Sequence, residues 1–216
     1  MAKSALIKKE ADAEKPGMTA EKILIAAREV FAENGYSGTH MDTIAKRAGV
    51  NKATLYYQIG DKDTLYAGVI HQVLGGVARN IADAVAAAGH PREKLGAYIH
   101  TIASAVDKNP ELPSIMLREV ASDGAHLPRV AAEDMATVVT ILSGLIEDGK
   151  KRGIFEDVIP FLVHCMIMGT ILMYKKASPI KDRQLWLPDD VKRYDKKLKE
   201  SAGQAVARLV FKAIKK

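Results

Sequence analysis

Apolar residues recur at three- and four-residue spacing along nearly the whole chain, and no stretch shows the strict alternation between hairpin turns that a half-buried strand needs. Such a chain is expected to be all-α. Its 216 residues suffice for a small helical domain and a larger one without disulfide or metal support. Cys165 is the single cysteine, which rules out an intramolecular disulfide framework and a multi-cysteine zinc site and makes a reducing cytoplasm the expected setting. Residues 1–17 mix Lys3, Lys8 and Lys9 with Glu10, Asp12 and Glu14 and lack the apolar run of a signal peptide, so they read as a disordered lead-in. The longest apolar run, residues 158–174, carries Pro160, His164 and Gly169 and reads as a buried helix rather than a membrane span.

The net charge of +6 invites a nucleic-acid reading until it is divided along the chain. Residues 1–62 hold 10 basic against 8 acidic side chains, residues 63–174 hold 9 against 13, and residues 175–216 hold 13 against 5. The surplus lies in the tail, so a DNA-binding argument has to rest on pattern.

Punctuation places the helices. The first is expected after Thr19 as N-cap, with Met18 and Ile23 as a hydrophobic staple, ending at Gly35. The second is expected after Thr39 as N-cap, with Asp42 in a capping-box-like position, turning Met41, Ile44, Ala45 and Ala48 inward until Gly49 stops it. A short third helix has Asn51 as cap, Val50 and Leu55 as staple and Gly60 as its end. A fourth begins after Asp61 and runs towards Ala88 through the glycine pair Gly75 and Gly76. Further helices are expected over residues 93–108, 111–122, 129–151, 158–176 and 201–214, with an irregular connection at 178–188 anchored by Trp186 and Leu187.

The second and third helices, joined at Ala48, Gly49 and Val50, have the spacing of a helix-turn-helix. With Leu55 pinned inward, the 3.6-residue period turns Ala53, Tyr56 and Tyr57 to the opposite side, with Lys52 at the helix start. A short helix in a major groove contacts bases through its N-terminal residues, which places Lys52 against guanine acceptors and the methyl of Ala53 against thymine. Thr39, Tyr56, Tyr57 and Lys62 carry groups that bond phosphate oxygens and set register rather than sequence. Taken singly, the lysines read equally as solvated charges and the tyrosines as packing.

The ordered stretches FAENGY (31–36), IAKRAGV (44–50) and TLYY (54–57) followed by Lys62 resemble the DNA-binding domain of the tetracycline-repressor family. The resemblance implies that Lys52, Ala53, Thr54, Tyr56, Tyr57 and Lys62 face DNA and that Thr39 caps the second helix beside a phosphate. The chain departs from the family pattern at Gln58 and Ile59, where a histidine or aromatic followed by phenylalanine is common, and at Gly60 and Asp61; Gln58 is carried over as a phosphate contact. It also implies a regulator of transcription, most often a repressor, built from a helix-turn-helix domain (18–64) and a larger helical domain (65–216). That second domain is expected to bind an unidentified small-molecule effector and to pair into a homodimer through its last two long helices. Such a dimer reads a palindromic operator in double-stranded DNA, with recognition helices about 34–36 Å apart in the simplest case.

The candidates for the effector pocket are His100, Arg118, His126, His164 and Tyr174, polar residues spread among apolar helices, with Met166, Met168 and Met173 as adaptable lining. Each reads equally as a satisfied core or surface group. Arg118 stands beside Glu119, so an ion pair competes with an anionic ligand. Two other classes compete with this reading. An enzyme is disfavoured because the neighbours His164 and Cys165 point about 100° apart on a helix. There is no Gly-rich phosphate loop or metal-ligand spacing either, so no catalytic residue, cofactor or metal is expected. A helix-turn-helix DNA-binding or adaptor protein without an effector remains the alternative, to be told apart by a fully packed second domain.

Overall fold

The computed structural model describes the backbone of residues 16–183 and 189–216 and the side chains of residues 18–177 and 202–216. Among them the chain forms α1 (Pro16–Asn34), α2 (Met41–Ala48), α3 (Lys52–Ile59), α4 (Lys62–Ala87), α5 (Pro91–Lys108), α6 (Leu112–Ala121), α7 (Arg129–Lys151), α8 (Pro160–Arg183) and α9 (Asp189–Ile214). The all-α expectation holds. Two compact units divide between Ile70 and His71, inside α4.

In the first unit, α1 packs on α2 and α3. Its core is Ile23, Ala26, Ala27, Val30 and Phe31 of α1, Met41, Ile44 and Ala45 of α2, Leu55 of α3 and Leu65, Tyr66 and Val69 of α4. Phe31 meets Tyr66 edge-to-face at 4.7 Å, and Tyr36 meets the same ring at 5.1 Å. Such pairs add about 0.5–1.5 kcal/mol beyond area burial.

Two expected helix starts need correction. α1 begins at Pro16, three residues before Thr19; a proline there forfeits only an N–H that has no intrahelical partner. Thr19 is buried within the helix and Met18 is half exposed, so no staple forms with Ile23. Residues 1–15 of the expected lead-in lie outside the described residues. At α2 the N-cap is His40, without a side-chain bond, because Thr39 turns inward. Its hydroxyl donates to the Gly35 carbonyl at 2.6 Å, closing the end of α1 rather than opening α2. The remaining stops fall where expected. Gly35 and Gly49 take φ of 70° and 69°, Asn51 accepts from the Thr54 N–H at 2.8 Å, and Asp61 accepts from the Thr64 N–H at 2.8 Å.

In the second unit, α5 packs against α7, α8 and α9, and α8 against α6, α7 and α9. Tyr98, Ile99, Leu142, Phe155, Ile167, Val206 and Val210 are among the buried residues. α5 starts at Pro91 under a capping box in which the His90 ring accepts from the Arg92 N–H and Glu93 accepts from the His90 N–H, each at 3.3 Å. Gly75 has a packing reason: a methyl there would come within 3.0 Å of His71, whose Nδ1 is 2.7 Å from Asp134 Oδ2.

The expected irregular connection at 178–188 is corrected for its first half. α8 continues to Arg183 through Pro179, which forgoes one backbone bond without ending the helix. Trp186 and Leu187 lie outside the described residues. α9 starts at Asp189, twelve residues before the expected 201; residues 189–200 are mostly charged, and only Val191, Tyr194 and Leu198 mark the helical period there. The C-terminus is tied down. Glu156 N–H donates to the Ile214 carbonyl at 2.8 Å and Lys216 N–H to the Ile154 carbonyl at 3.1 Å.

Gly149 of α7 sits under this closure, where a Cβ would be driven into the Phe155 ring. Gly149→Ala is therefore expected to destabilise the second unit by about 1–3 kcal/mol, the usual range for overpacking. Urea unfolding checks this: an unchanged midpoint would show that the Phe155 ring has room to move.

Candidate nucleic-acid interface and sensor cavity

The turn after α2 is closed by Gly49, whose N–H bonds the Lys46 carbonyl at 3.2 Å while the Val50 N–H bonds the Ala45 carbonyl at 3.0 Å. The left-handed backbone there is one that residues with a Cβ adopt only at a cost. With Leu55 fully buried, α3 turns its other side outward. Lys52, Ala53, Tyr56 and Tyr57 are exposed, Tyr57 at 87%, while Thr54 and Gln58 are half-buried. These residues form one face.

The cations on this surface are held by partners. Lys52 Nζ lies 2.8 Å from Asp42 Oδ1 across the two helices of the motif. The bond raises the pKa of the lysine and lowers that of the aspartate. Lys62 rests over the Tyr36 ring with its ammonium 4.3 Å from the centroid, a cation–π contact, and partial burial lowers its pKa. The Tyr36 hydroxyl in turn donates to the Asp63 carboxylate. Arg47 is bonded to Glu33 at 2.7 Å.

Thr39 does not join this face. It is 2% exposed and its hydroxyl is spent on the Gly35 carbonyl, so the expectation that it caps α2 beside a phosphate is corrected. Because His40 caps without its side chain, the first turn of α2 leaves amide donors that a phosphate can use. Sequence reasoning also missed Asp42 and Tyr36 as partners of the two lysines. Asp42 was visible only as a capping residue, and its contact with Lys52 crosses a turn whose angle the sequence does not state.

The expected pocket residues scatter. His100 is exposed on α5, its Nδ1 3.2 Å from where a Cβ on Gly203 of α9 would lie. Arg118 is exposed on α6 and His126 in the turn after it. Tyr174 lines an apolar groove of about 70 Å³ among α5, α8 and α9. His164 alone lines an apolar cavity of about 40 Å³ among α4, α5, α6, α7 and α8. Of the three methionines, Met168 lines that cavity while Met166 and Met173 are exposed.

His164 is 8% exposed, and its Nδ1 lies 2.9 Å from the hydroxyl of fully buried Tyr98. Burial lowers the pKa of the imidazole and raises that of the phenol. Asp134 reaches the same cavity. Tyr98 and Asp134 are the residues the sequence did not single out. Tyr98 shares the α5 face of Leu95, Ile99 and Ile102 and reads there as core. Among the described residues no group of His, Cys, Asp or Glu is placed to hold a metal, and no helix is long and apolar enough to cross a membrane.

Residues 23–69 match the family described as bacterial regulatory proteins, tetR family. The chain is 28% identical over 151 residues to the fatty acid metabolism regulator protein of Bacillus subtilis (strain 168), covering 69% of this chain and 78% of that one. It is 25% identical over 166 residues to the HTH-type transcriptional repressor NicS of Pseudomonas putida, covering 75% and 77%. Among solved structures, the transcriptional regulator FadR from Bacillus subtilis in complex with stearoyl-CoA aligns with a TM-score of 0.67 at 25% identity, covering 88% of this chain and 97% of that one.

The Lys52–Asp42 pair yields a direct test of the α3 face. Asp42→Asn is expected to strengthen DNA binding by about three- to tenfold at low salt, because one repulsive charge goes and Lys52 is released. Adding Lys52→Ala should erase the gain. Fluorescence anisotropy across a salt series reads both; equal affinity of wild type and Asp42→Asn would remove the pair from the interface.

Proposed function

Because this chain belongs to the tetracycline-repressor family of DNA-binding transcription regulators, we propose that it is a homodimeric, cytoplasmic repressor that holds a palindromic operator through α3 and lets go when a small molecule enters the second unit. The observation that carries this reading is the α3 face, on which one buried residue, Leu55, leaves Lys52, Ala53, Tyr56 and Tyr57 together outside. Lys52 and Ala53 meet base edges, and Tyr56, Tyr57, Thr54, Gln58 and Lys62 fix register on phosphates. Residues 18–64 serve as the reader and 65–216 as the sensing and pairing part.

Pairing is supported by an exposed apolar stripe on α8. Leu162, Met166, Gly169 and Met173 recur at i, i+4, i+7 and i+11 and all face solvent. On α9, Val206 and Val210 are buried while Leu209 and Ala213 face outward. An uncovered stripe of this spacing on two neighbouring helices suits a four-helix interface with a second copy. Effector binding is supported by the apolar cavity of the second unit and by FadR, a relative whose structure holds stearoyl-CoA.

Selection of bound fragments from the source genome tests the proposal. The retained fragments are expected to share one inverted repeat, bound by two copies of the chain, and a metabolite fraction should release them. Retention without sequence preference, or one copy per site in sedimentation, would defeat it. Leu162→Glu with Met173→Glu should leave the first unit folded yet lower operator affinity at least about a hundredfold by separating the copies.

A further inference from the structure

The turn between α1 and α2 is fixed at several points. The Gly35 N–H donates to the Phe31 carbonyl at 2.8 Å, the Thr39 hydroxyl to the Gly35 carbonyl at 2.6 Å and the Thr39 N–H to the Tyr36 carbonyl at 3.2 Å. A Cβ at Gly38 would stand 2.5 Å from the Asn34 carbonyl oxygen, so the chain doubles back there without room for a side chain. These bonds hold Tyr36 in place. Its ring lies parallel to that of Phe31 with centroids 6.4 Å apart and meets Tyr66 edge-to-face at 5.1 Å. Its hydroxyl donates to the Asp63 carboxylate, and the Lys62 ammonium sits 4.3 Å from its centroid.

Folding alone does not favour a lysine at that place. Lys62 is the first residue of α4, where the helix dipole disfavours a cation, and partial burial lowers its pKa by desolvation. Among the described residues no carboxylate pairs with it. Asp61 accepts from the Thr64 N–H as the cap of α4, and Asp63 is engaged by the Tyr36 hydroxyl. Lys52 shows the contrast, since its ammonium lies 2.8 Å from a carboxylate that offsets its charge. An aromatic face attracts a cation without neutralising it. The ring takes one side of the ammonium, and the N–H donors on the other side stay open to an oxygen acceptor. A free lysine loses rotamer freedom when it is pinned to a phosphate, and one already held on a ring loses less.

Resting on the reading that Lys62 bonds a phosphate, we propose that Tyr36 is a positioning residue for DNA binding: its ring holds the Lys62 ammonium charged and in place for one phosphate of the duplex. Tyr36 does not itself touch DNA, and its ring stays against the lysine in the complex. The inward hydroxyl of Thr39 then serves the interface indirectly, by securing the turn that carries this ring.

The test uses the full chain and a mixed-sequence DNA duplex, because a phosphate contact acts on any sequence. Fluorescence anisotropy across a salt series compares the wild type with Tyr36→Leu, Tyr36→Phe, Lys62→Met and the double variant of Tyr36→Leu with Lys62→Met. Tyr36→Leu is expected to weaken binding about three- to tenfold, through loss of the cation–π contact and release of the lysine. Tyr36→Phe keeps the ring and should recover most of that affinity. Lys62→Met should lower the salt slope by about one, and in that background Tyr36→Leu should cost nothing further. Equal losses in both backgrounds would mean that Tyr36 acts on folding alone and would overturn the inference, as would unchanged binding by Tyr36→Leu. Wild-type affinity and slope in Lys62→Met would instead remove the phosphate reading of Lys62, and the inference with it. Proton NMR of the wild type gives a reading that needs no variant to fold. The Lys62 ε-methylene should be shifted upfield by the ring, and the shift should persist when duplex is added. A shift absent from the free chain, or lost on adding duplex, overturns the inference while leaving the phosphate reading to the Lys62→Met result.

Discussion

The reading face depends on one turn and one anchor. Gly49 accepts a left-handed backbone that closes α2, and three residues later α3 begins with its N-cap bond from Thr54 to Asn51 already made. Nothing stands within 4 Å of where a Cβ at Gly49 would lie, so the constraint there is conformational rather than steric. Leu55 then fixes the rotation of α3 about its own axis. An eight-residue helix has little stability of its own, so its outward face is defined only because that one side chain is fully buried against α1 and α2. Rotate α3 by one residue, about 100°, and Thr54 or Tyr56 rather than Leu55 would seek the core.

The charges on that face are arranged in pairs rather than as an open basic patch. Lys52 with Asp42 and Arg47 with Glu33 are exposed ion pairs, which contribute little to folding. Lys62 differs, since its ammonium sits on the Tyr36 ring inside the aromatic group that includes Phe31 and Tyr66. Leaving that ring costs packing as well as charge, so Lys62 is the more firmly positioned of the two lysines. The positive surplus of the whole chain plays no part in this arrangement, because it lies beyond residue 174.

What the sequence made legible was what a single residue decides locally. Gly35, Gly49 and Gly60 as stops, and Asn51 and Asp61 as caps, follow from backbone conformation and short-range bonds. The same rules misplaced Thr39, since a threonine before a helix has two sets of backbone groups in reach and the structure gives it to the carbonyl of Gly35. Residues 189–200 escaped because their helical period rests on only Val191, Tyr194 and Leu198 among nine charged residues. The cavity of the second unit was least legible. The Tyr98–His164 contact spans 66 positions, and Tyr98 carries no local sign that separates it from the leucines and isoleucines beside it.

The second unit therefore combines a demanding interior with little empty space. The Tyr98–His164 pair and the Asp134 carboxylate keep three polar groups in or beside an apolar cavity, each with one bond made. Filling the cavity with a larger molecule cannot be neutral to the helices around it, since interiors at native density move in discrete steps rather than by gradual swelling. Leu74 and Val77 of α4 stand in that wall, and α4 is one continuous helix from Lys62 to Ala87. A ligand larger than the cavity would have to displace side chains such as Leu74 or Val77 within the second unit. Its leverage is limited by its differential affinity for the two arrangements, so a ligand that fits the closed cavity without moving its walls shifts nothing, however tightly it binds.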